Sequence, residues 1–180
     1  MSPTGSSPGT APAKAAPTLL RRLLIGTSPK RTLICTVIIA TVLIVVCKFL
    51  FLPARVQGDS MEPTCHNGSF ILINTLRYSG DRTPARGDIV AVRLTGSSIM
   101  FLKRVLALPG DTFEFQSGRL LLNGTVAAEP YTLQGGAWTM PPTIVPPGSY
   151  FIAGDNRSMP MEFHTLGYAT RDQIAGGLLF

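Results

Sequence analysis

The most continuous apolar stretch in the chain is Thr32–Leu52, TLICTVIIATVLIVVCKFLFL, in which Lys48 is the one charged residue. As a helix, 21 residues rising ~1.5 Å each span roughly 31 Å, about one hydrocarbon core. Lys48 lies near the far end, where its amine can snorkel to the interface. The next residues, Pro53-Ala54-Arg55-Val56-Gln57, carry no small-x-small cleavage pattern. The run is also longer than a secretory h-region. The pattern predicts a retained transmembrane helix over residues 32–52. Residues 1–31 read as a cytoplasmic tail, flexible at least through its Ser/Pro/Ala-rich first 18 positions. Within it, Leu19, Leu20, Leu23, Leu24 and Ile25 flank Arg21 and Arg22. That spacing suits either a short helix on an anionic surface or a charged tail without fixed structure.

Beyond Leu52 the pattern changes period. Short β-rich runs alternate with Gly, Pro, Asn and Asp. Strands are expected within Ser69–Leu76, Asp88–Leu94, Ile99–Leu108, Thr112–Phe115, Arg119–Leu122, Tyr150–Ala153 and Asp172–Leu179. Thr95–Ser98 and Gln116-Ser117-Gly118 read as hairpin connections, and Asn123-Gly124 as another tight turn. Gln134–Gly148, rich in Pro and Gly, reads as a long loop. The prediction is an all-β domain over residues 53–180, antiparallel and of the barrel or sandwich kind, carried behind one N-terminal transmembrane helix. Trp138 and Met140 in the long loop are candidates to dip into the outer leaflet.

Charge sharpens this organisation. Of 180 residues, 16 are Lys or Arg and 10 are Asp or Glu, a formal charge of +6. The imbalance sits entirely in residues 1–52, which hold Lys14, Arg21, Arg22, Lys30, Arg31 and Lys48 and no acid. Residues 53–180 hold ten charges of each sign. A neutral outer domain argues against nucleic acid as a partner. Five basic residues before the span put the N-terminus in the cytoplasm and residues 53–180 on the far side of the membrane. Cys35 and Cys47 lie about 18 Å apart along a helix, too far to bridge. Cys65 is alone in the outer domain and reads as packed. Asn67, Asn123 and Asn156 begin Asn-x-Ser/Thr triplets, but each stands in a turn context that explains it.

Candidate chemistry is sparse. His164 with Asp155 or Glu162 could complete a Ser-His-Asp triad, but no G-x-S-x-G elbow accompanies it. Cys65, His66 and His164 are too few and too poorly spaced for a zinc site. Lys103 interrupts the apolar strand Ile99–Leu108. Alternation puts Phe101, Lys103 and Val105 on one face and Leu102, Arg104 and Leu106 on the other. Lys103 is then either at the surface or desolvated, and a desolvated amine loses its proton near neutrality and can act as a general base.

Four blocks occur in order: Gly58-Asp59-Ser60-Met61-Glu62-Pro63-Thr64, Gly87-Asp88-Ile89-Val90, Lys103-Arg104-Val105-Leu106-Ala107-Leu108-Pro109-Gly110-Asp111, and Pro147–Arg157 ending in Gly154-Asp155-Asn156-Arg157. Together with the anchor they resemble the bacterial type I signal peptidases, membrane-bound Ser-Lys endopeptidases, from about Val56 to Gly176. The resemblance implies Ser60 as nucleophile, Lys103 as general base, Met61 beside the substrate cleft, and Gly154–Arg157 with Ser158 as a supporting loop. It implies signal peptides of exported preproteins as partners, with small residues before the cleaved bond, at the extracytoplasmic face of the cytoplasmic membrane, and no metal or organic cofactor. Some relatives carry Ser at the position of Gly58, where its hydroxyl helps hold the oxyanion; here main-chain donors, chiefly the Ser60 N–H, must carry more. The last block departs from the pattern. Pro160 stands where relatives place the Ser that bonds the catalytic lysine, Glu162 stands for an Asp, and His164 for an Arg. A Glu162–His164 pair is expected to brace the loop, and Ser158 or water to orient Lys103. The rival readings are a maturation peptidase for one pilin or conjugation-type precursor, and a catalytically dead, membrane-tethered binding domain.

Overall fold

Pro29 starts helix α1 (Pro29–Leu50), at the position where a missing N–H is harmless. The Ser28 carbonyl accepts both the N–H and the hydroxyl of Thr32, closing the first turn. No residue of α1 is buried against protein. A helix apolar on every side and covered on none is matched to an apolar solvent, and α1 is long and apolar enough to cross a membrane. The computed structural model describes residues 28–93, 100–132, 136–164 and 167–179. The first 27 residues, with the Leu19–Ile25 stretch, and the Thr95–Ser98 connection lie outside the described residues.

The helix stops two residues earlier than the apolar run. Phe51 and Leu52 belong to strand β1 (Phe51–Arg55), which pairs with β2 (Phe70–Asn74). Thr75, just past β2, donates to the Phe49 and Leu50 carbonyls through its hydroxyl and to Leu50 again through its N–H. These are carbonyls that a helix end leaves without partners. Hydropathy could not see this boundary, because an apolar strand residue and an apolar helix residue look alike.

From Val46 onward the chain forms one compact unit. Its further strands are β3 (Ile89–Arg93), β4 (Met100–Ala107), β5 (Thr112–Gln116), β6 (Arg119–Leu122), β7 (Thr125–Val126), β8 (Met140–Ile144), β9 (Ser149–Ala153), β10 (Gly167–Thr170) and β11 (Ile174–Leu179). They build a seven-stranded sheet in the order β1-β2-β11-β3-β4-β9-β10 and a four-stranded sheet in the order β7-β6-β5-β8. Every pairing is antiparallel. The expected all-β domain is therefore present, as two sheets. Both short turns read from sequence occur: Ser117 and Gly118 have φ of 48° and 82°, and Asn123 and Gly124 have 50° and 77°. Two consecutive positive φ values are what a two-residue hairpin of matching twist requires.

The Gln134–Gly148 stretch is not all loop. Met140–Ile144 forms β8 despite Pro141 and Pro142. It is an edge strand that pairs with β5 alone, and its register shifts between Phe113 and Phe115. The prolines fall at that irregularity and face solvent, where absent N–H groups break no ladder. Trp138 is likewise not a membrane anchor. It is 3% exposed, packed edge-on to Phe115, and its indole N–H donates to the Met159 carbonyl at 2.8 Å. Met140 packs against the same core.

That core joins the two sheets: Leu106, Ala107, Phe113, Phe115, Leu120, Trp138, Val145, Phe151 and Ala153. Phe113 of the small sheet stacks on Phe151 of the large one at 3.9 Å between centroids. A second cluster, including Val90, Val105 and Ile152, lies within the large sheet, and a third, Val56, Met61, Cys65, Ile89 and Leu178, lies under the Ser60 segment. Cys65 is packed, as expected, and burial pushes its thiol pKa up. Replacing Phe113 by Ala removes the ring that ties the sheets and should cost about 3–5 kcal/mol, read as a lowered thermal midpoint of the full chain in detergent.

Candidate active site

Ser60 is held in a folded turn between β1 and β2. Pairing continues past the strands, with Val56 N–H to Ser69 O and Gly68 N–H to Val56 O, both at 2.9 Å. Gly58 then takes φ of 90°, with open space where a Cβ would be, and turns the chain away from β2. The Asn67 side chain accepts the Gly58 N–H at 3.3 Å. Glu62 N–H to Asp59 O and Cys65 N–H to Met61 O close the turn. Met61 is buried beneath it with Val56 and Cys65, and both Met61, as expected, and Ser60 line an open cleft. The Ser60 N–H is bonded to no protein acceptor among the described residues.

Lys103 reaches this serine from β4. Its Nζ donates to Ser60 Oγ at 2.7 Å, and the residue is 2% exposed. Of the two readings left open by its sequence context, the desolvated one holds. Burial lowers its pKa from 10.5 to about 8, against a smaller opposing pull from the Asp155 carboxylate. Among the described residues Ser60 Oγ is the hydrogen-bond partner of Nζ. Ser158 does not orient it: its hydroxyl and N–H both donate to Asn156 Oδ1. Pro160 faces solvent. The cleft beside the pair has a volume of about 380 Å³. One wall is Ala54–Gly58, the other Met100–Lys103, and Ile71, Ile73 and Ala91 contribute apolar surface between them.

The Gly154–Arg157 loop fastens the Ser60 turn from the other side, each residue differently. A Cβ on Gly154 would sit 2.1 Å from Ser60 O, so only glycine permits the approach. Asn156 donates its N–H to Ser60 O at 3.1 Å and its side-chain amide to Asp59 O at 3.0 Å. Asp155 is fully buried and takes two hydrogen bonds from Arg104, at 2.8 and 2.6 Å, and another from the Thr64 hydroxyl. Arg157 forks onto Glu129 at 2.6 and 3.0 Å, donates to Gly154 O, and lies over the Phe115 and Trp138 rings. Glu129 and Asn67 were not legible as site residues. A buried Arg157 demanded some carboxylate, but nothing local named one 28 positions away.

The tail of this block behaves differently from expectation. Glu162 and His164 do not pair. Glu162 sits in a single 3-10 turn, Met161–Phe163, and points to solvent. His164 is buried, with Nε2 at 2.7 Å from the Asn156 carbonyl. The Glu-His pair that does form is Glu62 with His66, at 2.6 Å on the surface. No His164-centred triad assembles either, because Asp155 is taken up by Arg104. The Gly87-Asp88 and Gly110-Asp111 blocks brace turns. Asp88 accepts from Arg77, Tyr78 and the Ala85 N–H, and Asp111 from Arg86, Asn123 and the Leu108 N–H.

Removing one member of the buried Arg104–Asp155 pair strands the other charge. Asp155→Ala should cost about 3–5 kcal/mol, and the double variant Asp155→Leu with Arg104→Met should recover part of the lost thermal stability.

Residues 30–180 match the family described as "Signal peptidase, peptidase S26". The chain is 39% identical over 154 residues to "Signal peptidase I S" of Bacillus subtilis (strain 168), covering 78% of this chain and 82% of that protein. It is 39% identical over 153 residues to "Signal peptidase I" of Bacillus amyloliquefaciens, covering 78% and 80%. Among solved structures it is similar to a signal peptidase I from Enterococcus faecalis V583, with TM-score 0.44 and 24% identity over 56% of this chain and all of that one. The match over residues 30–180 and the extent of the Bacillus similarities establish that the chain belongs to the signal peptidase family, peptidase S26.

Proposed function

We propose that this peptidase is anchored in the cytoplasmic membrane by α1, with its β domain outside, and removes signal peptides from exported preproteins by a Ser60–Lys103 dyad. The observation that carries the reading is the 2.7 Å contact between a buried lysine amine and a serine hydroxyl at the wall of an apolar cleft. A buried ammonium is costly to keep. A tethered binding domain has no use for that cost, and neither it nor a single-precursor specialist is favoured by any contact in the site.

The chemistry follows from the geometry. With its pKa at about 8, roughly a tenth of Lys103 is neutral at pH 7, against less than about a thousandth for an ordinary lysine. The neutral amine removes the Ser60 proton as Oγ attacks the scissile carbonyl. The tetrahedral oxygen is met by the Ser60 N–H; Gly58 supplies no hydroxyl there. Lys103, now protonated, passes the proton to the departing amine. It then activates the water that hydrolyses the acyl-enzyme ester. Substrates carrying small residues before the cleaved bond, as the family resemblance implies, would lie extended between the 54–58 and 100–103 walls.

Two measurements test this on the full chain with a preprotein carrying an Ala-x-Ala signal. Ser60→Ala and Lys103→Ala should each lower cleavage by at least ~10²-fold; cleavage equal to wild type in either rejects the dyad. Because the working form of Lys103 is the deprotonated one, kcat/KM should climb as pH rises and level off above about 8. A flat profile between pH 5 and 9 contradicts a lysine base.

A further inference from the structure

His164 is the one place where the Ser60 support holds a buried polar atom with no partner. Its Nδ1 is inaccessible to solvent and bonded to nothing, the sole such side-chain atom among the described residues. Nε2 is the nitrogen that meets the Asn156 carbonyl, so it must carry the proton in the neutral ring, leaving Nδ1 as a bare lone pair. The ring packs edge-on to Trp138 at 4.6 Å. Gly154 lies against it, so tightly that an added Cβ would come within 3.0 Å of Nδ1 and 2.1 Å of Ser60 O. The Ser60 carbonyl and the imidazole thus both close on one glycine, with Asn156 bonded to Ser60 O and to His164.

Resting on the Ser60–Lys103 reading above, we propose that His164 is a positioning residue. As the neutral imidazole it holds the Asn156 carbonyl and, through Asn156, the backbone of Asp59 and Ser60. A proton on Nδ1 leaves the Nε2–H bond to that carbonyl intact but buries a cation with an unmet donor, so the ring keeps the proton only by leaving its pocket; that motion carries the Asn156 clasp with it and gives catalysis a second acid-side loss, separate from Lys103.

The surroundings make the protonated state unfavourable. An imidazolium would present a buried Nδ1–H donor with no acceptor. The charged groups that act on it are Lys103 from β4 and Arg157 from the loop after β9, both cationic. The carboxylates in the neighbourhood are committed, Glu129 to Arg157 and Asp155 to Arg104. Burial, then the Lys103 and Arg157 charges, hold the His164 pKa below its ordinary 6.5, against the pull of the Asn156 carbonyl.

The test uses the full chain in detergent, with kcat/KM on an Ala-x-Ala preprotein measured from pH 4.5 to 9. His164→Gln retains an N–H donor for the Asn156 carbonyl and has nothing to titrate; His164→Leu removes the donor. In the wild type, each pH unit below about 8 should cost tenfold, steepening to about a hundredfold per unit once His164 takes its proton. The Gln variant should keep the tenfold slope throughout and stay within about threefold of wild-type kcat above pH 8. The Leu variant should lose about tenfold in kcat at pH 8 with KM little changed. Identical acid slopes in wild type and His164→Gln overturn the proposal. So does ¹⁵N NMR of the Ser60→Ala chain at pH 8 if it finds the His164 proton on Nδ1, or finds the ring charged. The NMR reading needs no turnover and no His164 variant, so it stands whatever the outcome for Ser60 and Lys103 as the dyad.

Discussion

The domain is organised around the desolvation of one amine. Lys103 sits in a β-strand with apolar neighbours and meets a single hydroxyl, which is why its proton is lightly held. A strand suits this task. It offers alternate residues to opposite sides, so Lys103 addresses Ser60 while adjacent Arg104 addresses Asp155. The two cations have opposite fates: Arg104 is neutralised by a carboxylate, and Lys103 is left nearly uncompensated. The first arrangement fixes the loop, and the second leaves an amine that gives up its proton far more readily than an exposed lysine.

Support for the serine comes from backbone more than from side chains. Ser60 O accepts from Asn156 N–H, Asp59 O accepts from the Asn156 amide, and Gly58 N–H is held by Asn67. The four residues Gly154–Arg157 divide the work into close approach, charge anchoring, clasping and core packing. Of the residues that follow, Pro160 and Glu162 lie outside the clasp and face solvent, and His164 bonds it through the Asn156 carbonyl.

Much of this was legible in the sequence where a residue type has few uses. Asn123-Gly124 after a strand restricts the local geometry sharply, whereas Lys103 within an apolar run fits either a surface or a desolvated amine, and only the company of the neighbouring blocks favours the second. The boundary of α1 was misplaced because Phe51 and Leu52 are apolar for a different reason, pairing in β1. Strand β8 was missed because Pro141 and Pro142 mark non-strand everywhere except at an edge, and β10 because a four-residue edge strand carries almost no pattern. The Glu129–Arg157 and Asn67–Gly58 contacts depend on chain segments meeting in space, which periodicity does not encode. The expected Glu162–His164 pair failed for the converse reason: proximity along the chain did not become proximity of side chains in a 3-10 turn.

The contact of Gly154 with the Ser60 carbonyl constrains how this chain can change over generations. When two side chains crowd one another, either can shrink to accommodate a new neighbour. Here one party is main chain, which has no smaller version, and the other is already the smallest residue. A substitution at position 154 therefore has no compensating partner to recruit. The histidine behind the glycine is a side chain and can be exchanged for another, but the glycine itself is a point from which no neutral path leads away.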